Sequence, residues 1–177
     1  MSKQPTTTPN SVRVIGIDPG YERLGVAVLE KPDTGKEFLV FSDCFRTSPK
    51  TPQAERLLFL SDSIDRCVEK YKPTVMALET LFFNTNQKTA VRVAEARGVI
   101  MSRAAFFGLN ILEFSPLQVK QAITGYGRCE KKQLMATIPH IIKVEKKIQY
   151  DDEFDAIAVG LTCTAVLRTS LLMSSFE

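Results

Sequence analysis

The stretch Val12-Arg13-Val14-Ile15-Gly16-Ile17-Asp18-Pro19-Gly20 decides how the rest of the chain is read. It is a short apolar run that stops at a Pro-Gly pair, the pattern of a buried strand closed by a turn. It leaves one carboxylate, Asp18, at the strand's carboxyl end. Residues 24–30 form a second apolar run after a short link, which predicts a hairpin, and a turn region over 31–36 leads to a third strand over 37–45. Thr51-Pro52 has the form of a helix N-cap followed by proline at the first helical position. Leu57, Leu60, Ile64, Val68 and Tyr71 then recur at helical spacing and predict an amphipathic helix. Pro73 separates that helix from a fourth strand over 74–81. A long helix over 85–107 ends at Gly108-Leu109-Asn110, and 111–114 is a fifth strand. A short helix and glycine-containing loop over 116–127 and helices over 131–146 and 152–171 complete the chain. Three strands followed by alternating helices and strands predict an α/β fold, with a five-stranded mixed sheet flanked by helices.

The 177 residues suffice for one domain with a sizeable core. No repeat or linker divides them, so 12–177 reads as a single domain. Residues 1–11 are polar and rich in Pro and Thr, and read as a disordered leader rather than a signal peptide. No apolar run reaches the roughly 18 residues of a membrane span, so the cytoplasm is the default location. The 23 basic and 20 acidic residues leave a net charge of +3. That balance permits nucleic-acid binding without arguing for it, so any such signal must be local. Cys44, Cys67, Cys129 and Cys163 form no CxxC pair and His140 is the single histidine, which argues against a zinc site. The thiols are expected reduced and mostly buried.

Ligands of open α/β sheets gather outside the carboxyl ends of the strands. Asp18 stands at such an end, and Glu79 near the end of the fourth strand. If those strands are parallel neighbours, the two carboxylates face one crevice. Asp152 and Asp155, three apart at the start of the last helix, share a face. Together the four would form an oxygen-rich, anionic pocket suited to Mg2+ or Mn2+. Two such ions about 4 Å apart can activate a water and stabilise a leaving phosphodiester oxygen. Each acid also has a structural reading: Asp18-Pro19-Gly20 as a common turn, Glu79 as a solvated strand end, Asp152 as an N-cap with Asp155 favoured by the helix dipole.

Taken together and in order, the segments resemble the RuvC-type Holliday junction resolvases. Residues Val14-Ile15-Gly16-Ile17-Asp18-Pro19-Gly20 with Gly25-Val26-Ala27 are similar to that family's opening motif. Glu79-Thr80-Leu81-Phe82 with Asn86 resembles its second acidic segment, and Ala96-Arg97-Gly98-Val99 its long-helix signature. Gln118-Val119-Lys120-Gln121, Gly125 and Glu130-Lys131 resemble its basic segment, and Asp152-Glu153-Phe154-Asp155-Ala156 its closing acidic pair. The resemblance implies an RNase H-like fold, a homodimer, and paired metal-dependent incisions in four-way junction DNA during recombination and repair. It implies that Asp18 bridges two Mg2+ ions, with Mn2+ as a substitute, and that Glu79, Asp152 and Asp155 complete the catalytic ligand set. It implies DNA-binding roles for Phe82, Asn86, Lys120 and Lys131, and cooperation with a branch-migration helicase. Lysines beside the pocket would stabilise developing charge, and an exposed aromatic would stack on an unpaired base. Without the resemblance, Lys120 and Lys131 read as solvated surface and Phe82-Phe83 as core. Asp151, Asp152 and Glu153 are consecutive acids; Asp152 is preferred as third ligand for its spacing to Asp155. Tyr21-Glu22 departs from the smaller or more variable residues expected after the first motif.

Ala90, Ala94, Arg97/Gly98, Met101 and Ala105 form a stripe on the long helix that reads either as a dimer seam or as packing against the chain's own sheet. Lys88 and Arg92 read either as phosphate contacts or as ordinary surface charge. Two rival functions remain at this level: an RNase H-like nuclease for another branched or RNA-containing substrate, and a non-catalytic junction-binding protein. The four acids argue against the second, because an unneeded acidic cluster is mutually repulsive.

Overall fold

The computed structural model describes residues 11–80 and 87–174, with only the helical backbone at 87–89 and 168–174. The elements run β1 (Val12–Asp18), β2 (Arg23–Lys31), β3 (Phe38–Arg46), α1 (Gln53–Tyr71), β4 (Val75–Glu79), α2 (Gln87–Phe106), β5 (Asn110–Phe114), α3 (Pro116–Thr124), α4 (Lys131–Ile141) and α5 (Asp151–Ser174). The strands form one five-stranded sheet in the order β3-β2-β1-β4-β5. β1, β2 and β3 pair antiparallel, while β4 and β5 run parallel to β1. The mixed α/β sheet predicted from the hydrophobic pattern is therefore the one observed.

Side chains alternate across a pleated strand, so each face of the sheet buries its own set. Ile15, Ile17, Val26, Val28, Met76 and Leu78 face one way and pack with Leu60, Ile64 and Val68 of α1 and Ala96, Ile100 and Ala104 of α2. Val14, Ala27, Leu29, Val75 and Ala77 face the other way, against α3, α4 and the buried side of α5. The same alternation sends Asp18 and Glu79 to the α5 face, in step with Val14 and with Val75 and Ala77. Arg13 and Glu30 form a buried ion pair at the opposite end of β1 and β2, with Arg13 Nε donating to Glu30 Oε2 at 2.8 Å.

Helix α5 lies unusually close to β1 and β2, and two glycines permit it. A Cβ on Gly16 would stand 2.4 Å from the carbonyl oxygen of Ala156, and one on Gly25 would stand 2.0 Å from that of Asp152. Both distances are far below van der Waals contact, so any side chain there would push the helix off the sheet.

Several boundaries differ from the sequence reading by a few residues, and three of these differences bear on the elements described below. Helix α1 begins at Gln53, with Pro52 as the N-cap residue and no side-chain cap bond, because Thr51 is drawn into a turn by its N–H donating to Ser48 O. Helix α4 ends at Ile141 rather than running on to 146. Pro139 supplies no N–H to its last turn, and Ile142 is extended at φ −133°. Strand β4 ends at Glu79; the two residues by which it was expected to run further include Leu81, which lies outside the described residues. Helix α3 carries a full capping box not noted in the sequence. Ser115 accepts from the Gln118 N–H, and the Gln118 side chain accepts from the Ser115 N–H. All four cysteines are free, and three are buried.

Candidate active site

Because β1 and β4 are parallel neighbours, with Ile17 opposite Leu78, Asp18 and Glu79 each follow that pair at the same carboxyl edge. Helix α5 crosses this edge on the face to which both carboxylates point, and its first turn supplies Asp152 and Asp155. The four acids predicted to act together are brought together. Burial holds the Asp18 carboxyl well above the ordinary carboxylate range, and the charges of Asp155, Glu79 and Asp152 push it further. Burial, then Asp155, raises Glu79 to about 7. Asp155 and Asp152 are also raised, chiefly by burial.

The three consecutive acids separate cleanly. Glu153 is buried on the far side of the helix, with Lys146 Nζ 2.7 Å from its Oε1. Asp151 is the most exposed of the three at 39% of its side chain and bonds Lys131, which holds its carboxyl down at about 2. Asp152 is turned inward, its side chain 15% exposed, and its charge is felt by Asp18. The spacing preference for Asp152 over its neighbours agrees with this placement.

Both predicted lysines reach the cluster. Lys131 opens α4, and its Nζ lies 2.6 Å from Asp155 Oδ2 and 2.7 Å from Asp151 Oδ2. Lys120, on α3, is near enough to pull down the pKa of both Glu79 and Asp155. Phe82 and Asn86 lie outside the described residues, as does the side chain of Lys88.

Arg23 was not anticipated. Its Nε lies 3.2 Å from Asp152 Oδ2 and its guanidinium 3.5 Å from Asp151 Oδ1. It sits beside Tyr150, over whose ring Arg46 also lies at 5.1 Å. The signal lay in the turn: Arg23 is the first residue of β2 and pairs in register with Arg46, so two cations bracket the start of α5.

Among the described residues, no three His, Cys, Asp or Glu side chains stand close enough to enclose a metal ion as placed. Lys131 pairs with Asp155 and Asp151, and Arg23 lies against Asp152 and Asp151. The donor set nonetheless fits a hard divalent cation. It is all carboxylate oxygen, and its members are held above their ordinary pKa by burial and mutual repulsion. Asp152 Oδ2 is buried with no hydrogen bond, because the Arg23 Nε near it is poorly aligned.

Comparison with known proteins identifies the family. Residues 14–163 match the family model described as crossover junction endodeoxyribonuclease RuvC. The RuvC of Petrotoga mobilis is 42% identical over 158 residues, covering 89% of this chain and 95% of that protein. The RuvC of Desulfitobacterium hafniense is 40% identical over 148 residues, covering 84% and 89%. The structure of Thermus thermophilus RuvC in complex with Holliday junction substrate superposes with a TM-score of 0.83 at 28% identity, covering 90% of this chain and 96% of that one. The yeast mitochondrial Holliday junction resolvase Ydc2 shares the fold at a TM-score of 0.66 and 16% identity, covering 94% and 85%. With a matched family model over most of its length and relatives near 40% identity, the chain belongs to the RuvC crossover junction endodeoxyribonuclease family.

Proposed function

We propose that this chain resolves Holliday junctions by metal-dependent phosphodiester hydrolysis, with Asp18, Glu79, Asp152 and Asp155 as the catalytic ligand set and residues 12–177 acting as one nuclease domain. The observation that carries the reading is the convergence of four acids from β1, β4 and α5. They are close enough for the charges of the other three to raise the pKa of Asp18. Mg2+, with Mn2+ as a substitute, is the cofactor this donor set favours, held by those four carboxylates. Ions held there would supply an activated water and a sink for charge on the leaving oxygen.

The remaining steps belong to the protein's own side chains. Asp18, at the carboxyl end of β1 with the charges of the other three acids upon it, anchors the cluster. Lys131 and Lys120 offset the repulsion between four carboxylates and a phosphodiester, and stabilise charge that develops as the ester bond breaks. Lys131 is exposed on a long stem, so it can pass from the carboxylates to a phosphate oxygen. Phe82 and Asn86, from the same family motif as Glu79, are proposed to contact the crossover DNA.

A homodimer suits a substrate with two equivalent strands to cut. The α2 stripe supports it: Ala96, Ile100 and Ala104 pack on the sheet, while Ala94, Gly98 and Ala105 face outward. Large apolar side chains lie exposed on α1 and α2, among them Leu58, Val91 and Phe106. A branch-migration helicase is the further partner that the family implies. No helix among the described residues is long and apolar enough to cross a membrane.

The test is cleavage of a mobile four-way junction with the nicks mapped. Wild type is expected to nick two opposed strands symmetrically in Mg2+, and to prefer the junction over linear duplex in competition. Asp18→Asn is expected to bind the junction and leave it uncut. Wild-type protein inert in both Mg2+ and Mn2+ would remove the enzyme reading, and equal affinity for junction and duplex would remove the junction reading.

A further inference from the structure

Tyr21 follows Asp18 by three residues and is buried, yet two guanidiniums lie against its ring. Arg56 is 3.3 Å from the ring centroid and Arg92 is 5.2 Å from it. Arg56 is itself buried at 1% exposure. It donates to Thr47 Oγ1 at 2.9 Å, to the Tyr21 carbonyl at 3.3 Å and to the Tyr21 hydroxyl, all of them neutral acceptors. Arg92 is exposed on α2, and neither arginine has a carboxylate partner among the described residues. A buried cation normally needs a counter-charge, and a ring quadrupole offsets only part of one.

Arg92 and Tyr21 line an open cavity of about 530 Å³ with Thr51, Gln53 and Glu95. The one acid there, Glu95, accepts from Gln53 Nε2 at 2.5 Å rather than from Arg92. The cavity therefore presents to solvent a guanidinium that makes no direct ion pair among the described residues, above a second, buried one. The turn that sets Asp18 also sets this cavity: the Gly20 N–H donates to Asp18 O, and Thr47 Oγ1 donates to Tyr21 O. Three residues of chain reach at most about 11 Å, so the backbone of Tyr21 stands within that distance of Asp18.

We infer that Arg92, seated on Tyr21 over the buried Arg56, is a second phosphate-binding subsite. It grips the backbone of the same DNA strand a few nucleotides from the phosphodiester at Asp18. Arg92 is the contacting residue, and Arg56 is a positioning residue that holds the Tyr21 platform and adds its charge from below. Phosphate is the anion expected because the site is cationic, open along one side and bordered by the turn that follows Asp18. The inference rests on the reading of the chain as a nuclease acting on DNA.

The experiment measures binding of a four-way junction and of a linear duplex in EDTA across 50–200 mM salt, for wild type, Arg92→Gln, Arg92→Lys and Lys143→Gln. Each neutralised phosphate adds about 0.9 to the slope of log affinity against log salt. Arg92→Gln leaves one phosphate without its cation and is expected to reduce the slope by about 0.9, so that wild type loses about 3.5-fold more affinity than the variant over that range. Arg92→Lys is expected to restore most of the slope. Lys143→Gln, which removes a charge paired with Glu145, is expected to leave it unchanged. An unchanged slope in Arg92→Gln, or an equal decrease in Lys143→Gln, overturns the subsite. If junction and duplex bind alike, the junction reading fails; a slope change on both substrates would still establish the Arg92 contact.

Discussion

Replacing Gly25 with alanine should disable the nuclease without touching any of its four acids. A Cβ at that position would stand 2.0 Å from the Asp152 carbonyl oxygen and 3.3 Å from the Ala156 Cβ. Ordinary contact begins near 3.4 Å, so the first turn of α5 must lift by about 1.4 Å, or β2 must sink by the same amount. Strand β2 is hydrogen-bonded on both sides, to β1 and to β3, whereas the first turn of a helix still has free N–H groups and yields more readily. The displacement therefore falls on Asp152 and Asp155. A misplacement of about 1 Å in a catalytic constellation costs roughly 100-fold in rate, and overpacking a well-packed interior costs about 1–3 kcal/mol.

Gly25→Ala is accordingly expected to cut a four-way junction at least about 100-fold more slowly than wild type in single-turnover assays with Mg2+. Its melting temperature should fall by roughly 3–10 °C, and junction binding in EDTA should persist. The reasoning fails if the variant cuts within threefold of wild type. It also fails if cooperative unfolding disappears altogether, since that would mean the site cannot relax by the modest helix shift proposed.

Three further outcomes follow from the same structure. In EDTA, the raised pKa of Glu79, about 7 against 4.5, means that the folded state binds this proton more tightly than the unfolded chain. Its stabilisation is present below about pH 4.5 and is lost as pH rises through 7, an effect of about 3 kcal/mol before solvent screening reduces it. The melting temperature should therefore rise more on adding Mg2+ at pH 8 than at pH 5, and equal shifts would contradict a metal site at these carboxylates. Gly98→Ala meets nothing within 4 Å on the chain itself and should stabilise α2 by about 1 kcal/mol. Sedimentation should show weaker self-association, and unchanged association would take this stripe out of the dimer seam. Glu30→Ala removes the buried carboxylate that Arg13 Nε meets at 2.8 Å and should cost about 3–5 kcal/mol in urea unfolding, with no change in the salt dependence of junction binding.

The sheet was legible because strand and helix periods differ and the apolar runs were cleanly interrupted. Val12–Asp18 needed only its length and its Pro-Gly stop. What period could not supply was the point where a helix yields to a rival backbone preference. Pro139 cut α4 short within an otherwise helical pattern, and Thr51 entered a turn instead of capping α1. The capping box of Ser115 and Gln118 was visible as residue types, yet it acquires meaning only once 116–124 is known to be a helix start.

The acids were legible for a different reason: family resemblance named them in order, and parallel pairing of β1 with β4 then made Asp18 and Glu79 neighbours. Their union with Asp152 and Asp155 depends on something no single motif states. Gly16 and Gly25 remove the two side chains that would hold α5 away, so the motif residues around Asp18 act as spacers that set the depth of the helix. The cations follow the same logic. Tyr21 lies in the turn that departs from the family pattern, and Arg23, two residues on, opens β2. Arg23 faces Asp152 and Tyr21 carries Arg92, so the residues that follow β1 position charge both at the acidic cluster and at the second cavity. A turn with that double duty accounts for an aromatic and a cation where smaller residues would have closed the hairpin equally well.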